Sequence, residues 1–211
     1  MSRGRGRTYA AVADLRARHR SLGEPIRRRL DDFAAVPTEE YFYELVYCLL
    51  TPQSSAVHAG KAVEVLKQAG DHADSAAILA NRDHYIRFHN TKAKRISEAR
   101  AMLPQILHCL SNGADAPDLR EWLVANVKGL GLKEASHFLR NIGYRDLAIL
   151  DRHVLKHLKK HGVLRSVPGS LTRRRYLAIE VRFARFAADI GIPMDELDLL
   201  FWSAETGEIL K

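Results

Sequence analysis

The stretch Val127-Lys128-Gly129-Leu130-Gly131-Leu132-Lys133-Glu134-Ala135-Ser136-His137-Phe138-Leu139-Arg140-Asn141-Ile142-Gly143, followed shortly by Leu147-Ala148-Ile149-Leu150-Asp151-Arg152-His153-Val154, decides the fold. Helical sequence leads into Gly129-Leu130-Gly131, and helical sequence follows it. Two glycines around one apolar residue predict a tight hairpin between helices, because glycine takes φ > 0 without a Cβ clash and lets a partner approach its backbone. A helix starting near Leu132 aims its unpaired N–H groups outward, and such an end attracts phosphate. Lys133 falls in that first turn, where the helix field disfavours a cation. A basic residue held where a phosphate backbone would dock calls for a functional explanation. A plain DNA-docking hairpin with a phosphate-binding lysine is the simpler one.

Working outward, the composition narrows the class. Of the 211 residues 46% are apolar, enough for a core, and the net charge is +8 with 33 Lys and Arg against 25 Asp and Glu. A basic balance of this kind suits a polyanion, since bound cations release counterions from a phosphate backbone. Cys48 and Cys109 are the only cysteines. Two thiols cannot furnish a four-thiolate iron–sulfur or zinc site and read as ordinary thiols of a reducing compartment. No run approaches the ~18 apolar residues of a membrane span. The first residues lack the apolar core of a signal peptide. The expected location is therefore intracellular: cytoplasmic, with the nucleoid.

Read in order, the chain is helical throughout. Residues 9–30 carry apolar positions at helical spacing, with a break expected at Gly23-Glu24-Pro25. Thr38 is placed as an N-cap, and Tyr41 to Leu50, apolar nearly all round, reads as a buried helix. Pro52 fits the first turn of a following helix, with Ser54 or Ser55 as cap. Asn90 is placed to cap one long helix to about Leu110. Later helices are expected over 118–127, from the hairpin to Asn141, over 150–161, from Arg173 to Ile190 and from Pro193 to about Ala204. No segment alternates with period 2. The pattern predicts an all-α fold of two helical lobes with a DNA-binding cleft between them. The expected boundaries are an N-terminal arm and helix (1–37) packing with the C-terminal lobe, a central lobe (38–114), and a lobe carrying the hairpin and the C-terminal helices (115–211).

Gly129-Leu130-Gly131 with Lys133, followed 18 positions later by Asp151, resembles the helix–hairpin–helix glycosylase superfamily of DNA base excision repair. The resemblance is closest to the compact archaeal-type 8-oxoguanine DNA glycosylase/lyases. Leu49 to Ala56 resembles that family's helix-to-loop segment, and Arg87-Phe88-His89-Asn90-Thr91-Lys92-Ala93 its mid-chain motif. The terminal Lys211, beyond Phe201-Trp202-Ser203, is characteristic of it. In one respect the chain departs: most superfamily members have Pro-Val before the aspartate, and Ile149-Leu150 stands here.

The resemblance implies a bifunctional enzyme that excises 8-oxoguanine through a lysine Schiff base and then eliminates the 3′ phosphate. Lys133 would be the nucleophile, and only its neutral amine can attack. Cleavage of an N-glycosidic bond leaves positive charge on the sugar, which a carboxylate stabilises. Asp151 is placed for that, and equally to cap the next helix; the two roles are compatible. A base inside a duplex must be flipped out to be reached. By resemblance, Gln53 is the wedge that fills the gap, Phe88 and Trp202 sandwich the base, and Lys211 or its carboxylate reads it. Each also has a plainer reading, as loop residue, core aromatic or chain end. Gly129 and Gly131 would admit the DNA backbone, with a monovalent cation on the hairpin carbonyls; no other cofactor and no bound metal are implied. The expected partner is double-stranded DNA containing 8-oxoguanine, with no membrane, met by a monomer. Two alternatives stay open: the same lyase chemistry on oxidised pyrimidines or another lesion, and a non-catalytic DNA-binding hairpin module.

Overall fold

The computed structural model describes residues 9–70, 73–207 and 209. Among these the regular structure is entirely helical, in agreement with the all-α expectation. Eleven α-helices run in chain order: α1 Val12–Ala34, α2 Tyr41–Leu50, α3 Ala56–Ala69, α4 Ser75–Ala80, α5 His89–Ala101, α6 Leu103–Ser111, α7 Ala116–Asn126, α8 Leu132–Asn141, α9 Arg152–Lys160, α10 Arg173–Ile190 and α11 Met194–Thr206. They fall into two compact units, one of residues 33–145 and the other of the flanking segments up to Asp32 and from Asp146 onward. The hairpin stands in the 33–145 unit, and the expected boundary between 114 and 115 falls inside it.

In the 33–145 unit α2 is the core. Eight of its residues are buried, Phe42 and the run Glu44 to Leu50, and it packs against α3, α5 and α8. A helix apolar all round must be covered on every side, as this one is. In the other unit α9, α10 and α11 pack together, and the first turns of α1 are tied to them. Tyr9 Oη donates to Asp189 at 2.8 Å, the Arg16 guanidinium to the Ile190 carbonyl, and His19 pairs with Glu196 at 2.6 Å.

Several local expectations are corrected. α1 runs unbroken through Pro25. Proline costs an interior helix a hydrogen bond and a steric clash, but Ile26, Leu30 and Phe33 are all buried along the continuing face, and packing outweighs the local penalty. Thr38 opens a single 3₁₀ turn after Pro37 and caps nothing with its side chain. Pro52 lies in a turn rather than a helix, and Ser55 is the N-cap of α3, accepting from the His58 N–H at 3.4 Å. Asn90 lies inside α5, whose N-cap is Phe88. The long helix predicted beyond it ends at Ala101 and restarts at Leu103. Pro104 at the head of α6 explains the interruption, since a proline ring suits a first turn and disrupts an interior.

Candidate active site

The hairpin forms as its sequence predicts. α7 ends at Asn126, the Leu130 N–H closes a turn on the Val127 carbonyl at 3.2 Å, and α8 begins at Leu132. The two glycines do different work. Gly129 has φ +99, and a Cβ there would stand 2.6 Å from Cδ of Arg95. Gly131 has φ −98 and ψ −176, ordinary extended backbone, and is the N-cap of α8. Having no side chain, it leaves the capping to Glu134, whose Oε2 accepts from the Gly131 N–H at 3.3 Å. The hairpin also rests on α5 through Arg95 and through a Lys128–Glu98 ion pair at 3.2 Å.

Lys133 stands in the first turn of α8, its side chain 27% exposed and its Nζ 3.0 Å from Glu134 Oε1. One carboxylate therefore serves both the helix end and the lysine. Glu134 offsets the positive helix end and gives the Lys133 ammonium a partner. α8 is held by buried polar contacts along its length. Arg120 of α7 donates to Ser136 at 3.2 Å, and Asn141 donates to Glu44 of α2 at 2.9 Å while accepting from Arg140. Beneath Lys133 in the same unit, burial, reinforced by Glu44, pushes the Cys48 thiol far above its usual range. It stays an unreactive thiol.

Gln53 and Phe88 are held in a conformation few non-glycine residues adopt. Their φ angles are +57 and +61. Gln53 is exposed in the loop between α2 and α3. Phe88 is 50% exposed at the head of α5, its ring 4.8 Å from the Arg87 guanidinium carbon. The two segments meet at Ser54, whose Oγ accepts from the Arg87 N–H at 3.1 Å. Below them lies a buried lysine. Lys92, 2% exposed, donates to the carbonyls of Leu50 and Pro52, each at 2.7 Å, and to Ser54 Oγ at 3.1 Å. Burial first, then repulsion from Arg95 and Lys133, brings its pKa down to about 8.

Asp151 and Trp202 belong to the other unit, and the structure brings them together. Asp151 is the N-cap of α9: its Oδ1 accepts from the Val154 N–H at 2.8 Å. Its Oδ2 accepts from the indole N–H of Trp202 at 2.9 Å. The capping role is thus real and leaves the second oxygen aimed by the indole. Trp202 is half-buried, with His153 against its ring at 5.4 Å, and His153 Nδ1 lies 3.4 Å from Glu205. The extended segment before Asp151, where Ile149-Leu150 replaces the more usual pair, is pinned by α10. Glu180 accepts from the Ala148 N–H at 2.9 Å, while Tyr176 Oη donates to the Ala148 carbonyl and accepts from the Leu150 N–H. Lys211 lies outside the described residues. Among those described, no group of three or more His, Cys, Asp or Glu side chains could hold a metal ion, and no helix is long and apolar enough to cross a membrane.

Comparison with known proteins places this arrangement. Residues 26–192 match the family model described as 8-oxoguanine DNA glycosylase, a span that holds the hairpin, Lys133 and Asp151. The chain belongs to the 8-oxoguanine DNA glycosylase family. Among its relatives is an 8-oxoguanine DNA glycosylase/AP lyase of Korarchaeum cryptofilum, 43% identical over 204 residues, which cover 93% of this chain and 95% of that one. The crystal structure of the 8-oxoguanine DNA glycosylase of Thermotoga maritima is similar with a TM-score of 0.84 at 32% identity, covering 95% and 98% of the two chains. That of the Methanocaldococcus jannaschii 8-oxoguanine glycosylase/lyase in complex with a 15mer DNA containing 8-oxoguanine gives 0.83 at 31%, covering 94% and 100%.

For a chain of this glycosylase family, sequence reasoning missed Glu134 and Tyr176. Glu134 was visible as the third helical residue after an N-cap glycine, a capping-box position. Tyr176 and Glu180 carried no signal, because their partners are backbone atoms 26 to 32 residues away.

Proposed function

We propose that the chain excises 8-oxoguanine from double-stranded DNA and cleaves the abasic site it leaves, with Lys133 as nucleophile and Asp151 as the catalytic carboxylate. The observation that carries the reading is Lys133 in the first turn of the hairpin's second helix, partly exposed beside Glu134, in a chain of this family. The neutral Lys133 amine attacks the anomeric carbon of the damaged nucleotide. The bond from that carbon to the base breaks, and the base departs with the electron pair and takes a proton. The attached amine loses one proton to a base in the site, and the sugar ring opens: the bond from the anomeric carbon to the ring oxygen breaks, that oxygen takes a proton, and a C=N bond to Lys133 forms. Loss of a proton from the neighbouring sugar carbon then expels the 3′ phosphate and nicks the strand. Asp151 stabilises the positive sugar of the first step and assists deprotonation of the amine.

The other assignments are carried over from the family resemblance. Gln53, exposed on its loop, is the wedge for the flipped base's vacancy. Phe88 and Trp202 are the stacking surfaces, Lys211 the reader of the base. Gly129 and Gly131 approach the DNA backbone, and a monovalent cation on the hairpin carbonyls would tie the hairpin to phosphate. The protein acts inside the cell, as a monomer and without a further cofactor.

The test is a covalent trap. Duplex carrying 8-oxoguanine is incubated with the protein and borohydride. A protein–DNA adduct is expected, absent in Lys133→Gln. Base release without a trappable adduct would remove the lyase assignment, and an adduct only with oxidised pyrimidines would move the substrate. Binding with no cleavage of any lesion would leave a DNA-binding module.

A further inference from the structure

Two residues assigned above to DNA, Gln53 and Phe88, are 35 positions apart and share an unusual property. Both hold φ near +60. For a non-glycine residue this is strained and persists only where surrounding bonds over-determine it. In the 33–145 unit those bonds converge on one side chain. The three N–H groups of the Lys92 ammonium meet three acceptors: the Leu50 carbonyl at the end of α2, the Pro52 carbonyl just before Gln53, and the Ser54 hydroxyl just after it. Ser54 Oγ also accepts the Arg87 N–H, next to Phe88. The backbone of the same lysine closes the other side, its N–H donating to the Phe88 carbonyl at 3.0 Å. A buried ammonium is costly to desolvate. Stability alone is a weak reason for one here, because an apolar side chain of the same volume would fill the space.

We propose that Lys92 is a positioning residue, whose buried ammonium fixes the Gln53 loop and the Phe88 segment in one arrangement so that wedge and stacking surface meet DNA together. The proposal rests on the roles given to Gln53 and Phe88 above. Lys92 touches no substrate in it. It acts through the two flanks of Gln53 and the carbonyl of Phe88. Replacing it by an uncharged chain leaves the buried Leu50 carbonyl and the part-buried Pro52 carbonyl without this donor, and the loop is freed to relax toward ordinary φ values.

Lys92→Met and Ser54→Ala test it, the second keeping every charge near Lys133 in place. Backbone hydrogen exchange without DNA is the first reading. Amides of residues 51–55 and 86–89 are expected to exchange about tenfold faster in both variants, with the hairpin 127–134 unchanged. Excision is the second. On duplex with 8-oxoguanine opposite cytosine kcat/KM is expected to fall about tenfold, the loss of one well-made hydrogen bond. It should fall less on duplex where the lesion faces an abasic site, because there the wedge has no orphaned base to support and only the Phe88 surface is affected. Unaltered exchange in either segment would overturn the positioning role, as would unaltered excision on the cytosine duplex. If Lys92→Met does not fold, Ser54→Ala decides alone by the same readings. An unsubstituted protein that leaves 8-oxoguanine intact would remove the proposed function, while the exchange experiment, which needs no substrate, would still judge the clamp.

Discussion

The Asp151 carboxylate spends its two oxygens on different partners, the α9 helix end and the Trp202 indole. Substitutions can separate these duties. Asn is as good an N-cap as Asp. Asp151→Asn is therefore expected to unfold within about 0.5 kcal/mol of the parent while losing about 100-fold or more in excision rate, the usual worth of a catalytic carboxylate. Asp151→Ala should lose the same activity and in addition about 1 kcal/mol of stability, measured by chemical denaturation. Trp202→Phe keeps a ring for stacking and removes the N–H. A hydrogen bond to a charged acceptor is worth about 1.5–3 kcal/mol, so kcat should fall at least about tenfold with KM little changed. An increase in KM alone would show that Trp202 serves only the base. Sequence reasoning named Asp151 from its spacing behind the hairpin and Trp202 by resemblance. It could not see their mutual bond, which spans 51 positions and exists only once α9 and α11 pack.

At the scale of the element, the hairpin shows how two identical residues acquire unequal burdens. The sequence treats Gly129 and Gly131 alike. In the structure only Gly129 is in the left-handed region, and only there would a Cβ strike the Arg95 side chain within 3.0 Å. Gly129→Ala should cost about 1–3 kcal/mol in unfolding free energy and weaken DNA binding with it. Gly131→Ala meets only the Glu134 carboxylate, at 3.2 Å. It should unfold within about 1 kcal/mol of the parent, and any loss in DNA affinity then reports backbone approach rather than strain. Gel-shift titration of both variants at fixed salt makes the comparison. Helix boundaries show the opposite pattern: the sequence expected a break at Pro25 that packing suppressed, and missed one at Pro104 that packing allowed.

For the whole molecule, the unit that carries Asp151 contains a stack of rings in which two buried histidines sit. His157 lies flat on Phe201 at 4.5 Å, and His161 stands between Phe186 and Phe201. Burial first, then nearby Lys160, lowers the proton affinity of both imidazoles against the pull of Glu205 on His157 and of the Ala10 carbonyl and Asp14 on His161. With folded-state pKa below the usual ~6.5, the unfolded chain binds more protons as the solution acidifies. The stabilising contribution is complete above about pH 6.5 and is lost as pH falls below it. Unfolding midpoints measured from pH 8 to pH 5 should therefore decline, and His157→Phe, which preserves the stack, should reduce the decline. An identical slope in the variant would assign the acid sensitivity elsewhere.

The chain by itself determined the all-α class, the hairpin with its glycine turn, and the family, because these depend on local periodicity, on backbone freedom at single residues and on short motifs. It also named the titratable groups from which a mechanism can be built. Only the tertiary structure decided that α1 continues through Pro25, that residues 33–145 form one unit, and that Glu134 shares its carboxylate between Gly131 and Lys133. It alone joined Trp202 to Asp151 and buried Lys92 under the Gln53 loop. All of these depend on the chain beyond the local pattern, mostly on residues distant in sequence. Their energies arise from burial and from polar groups that must find partners once water is gone.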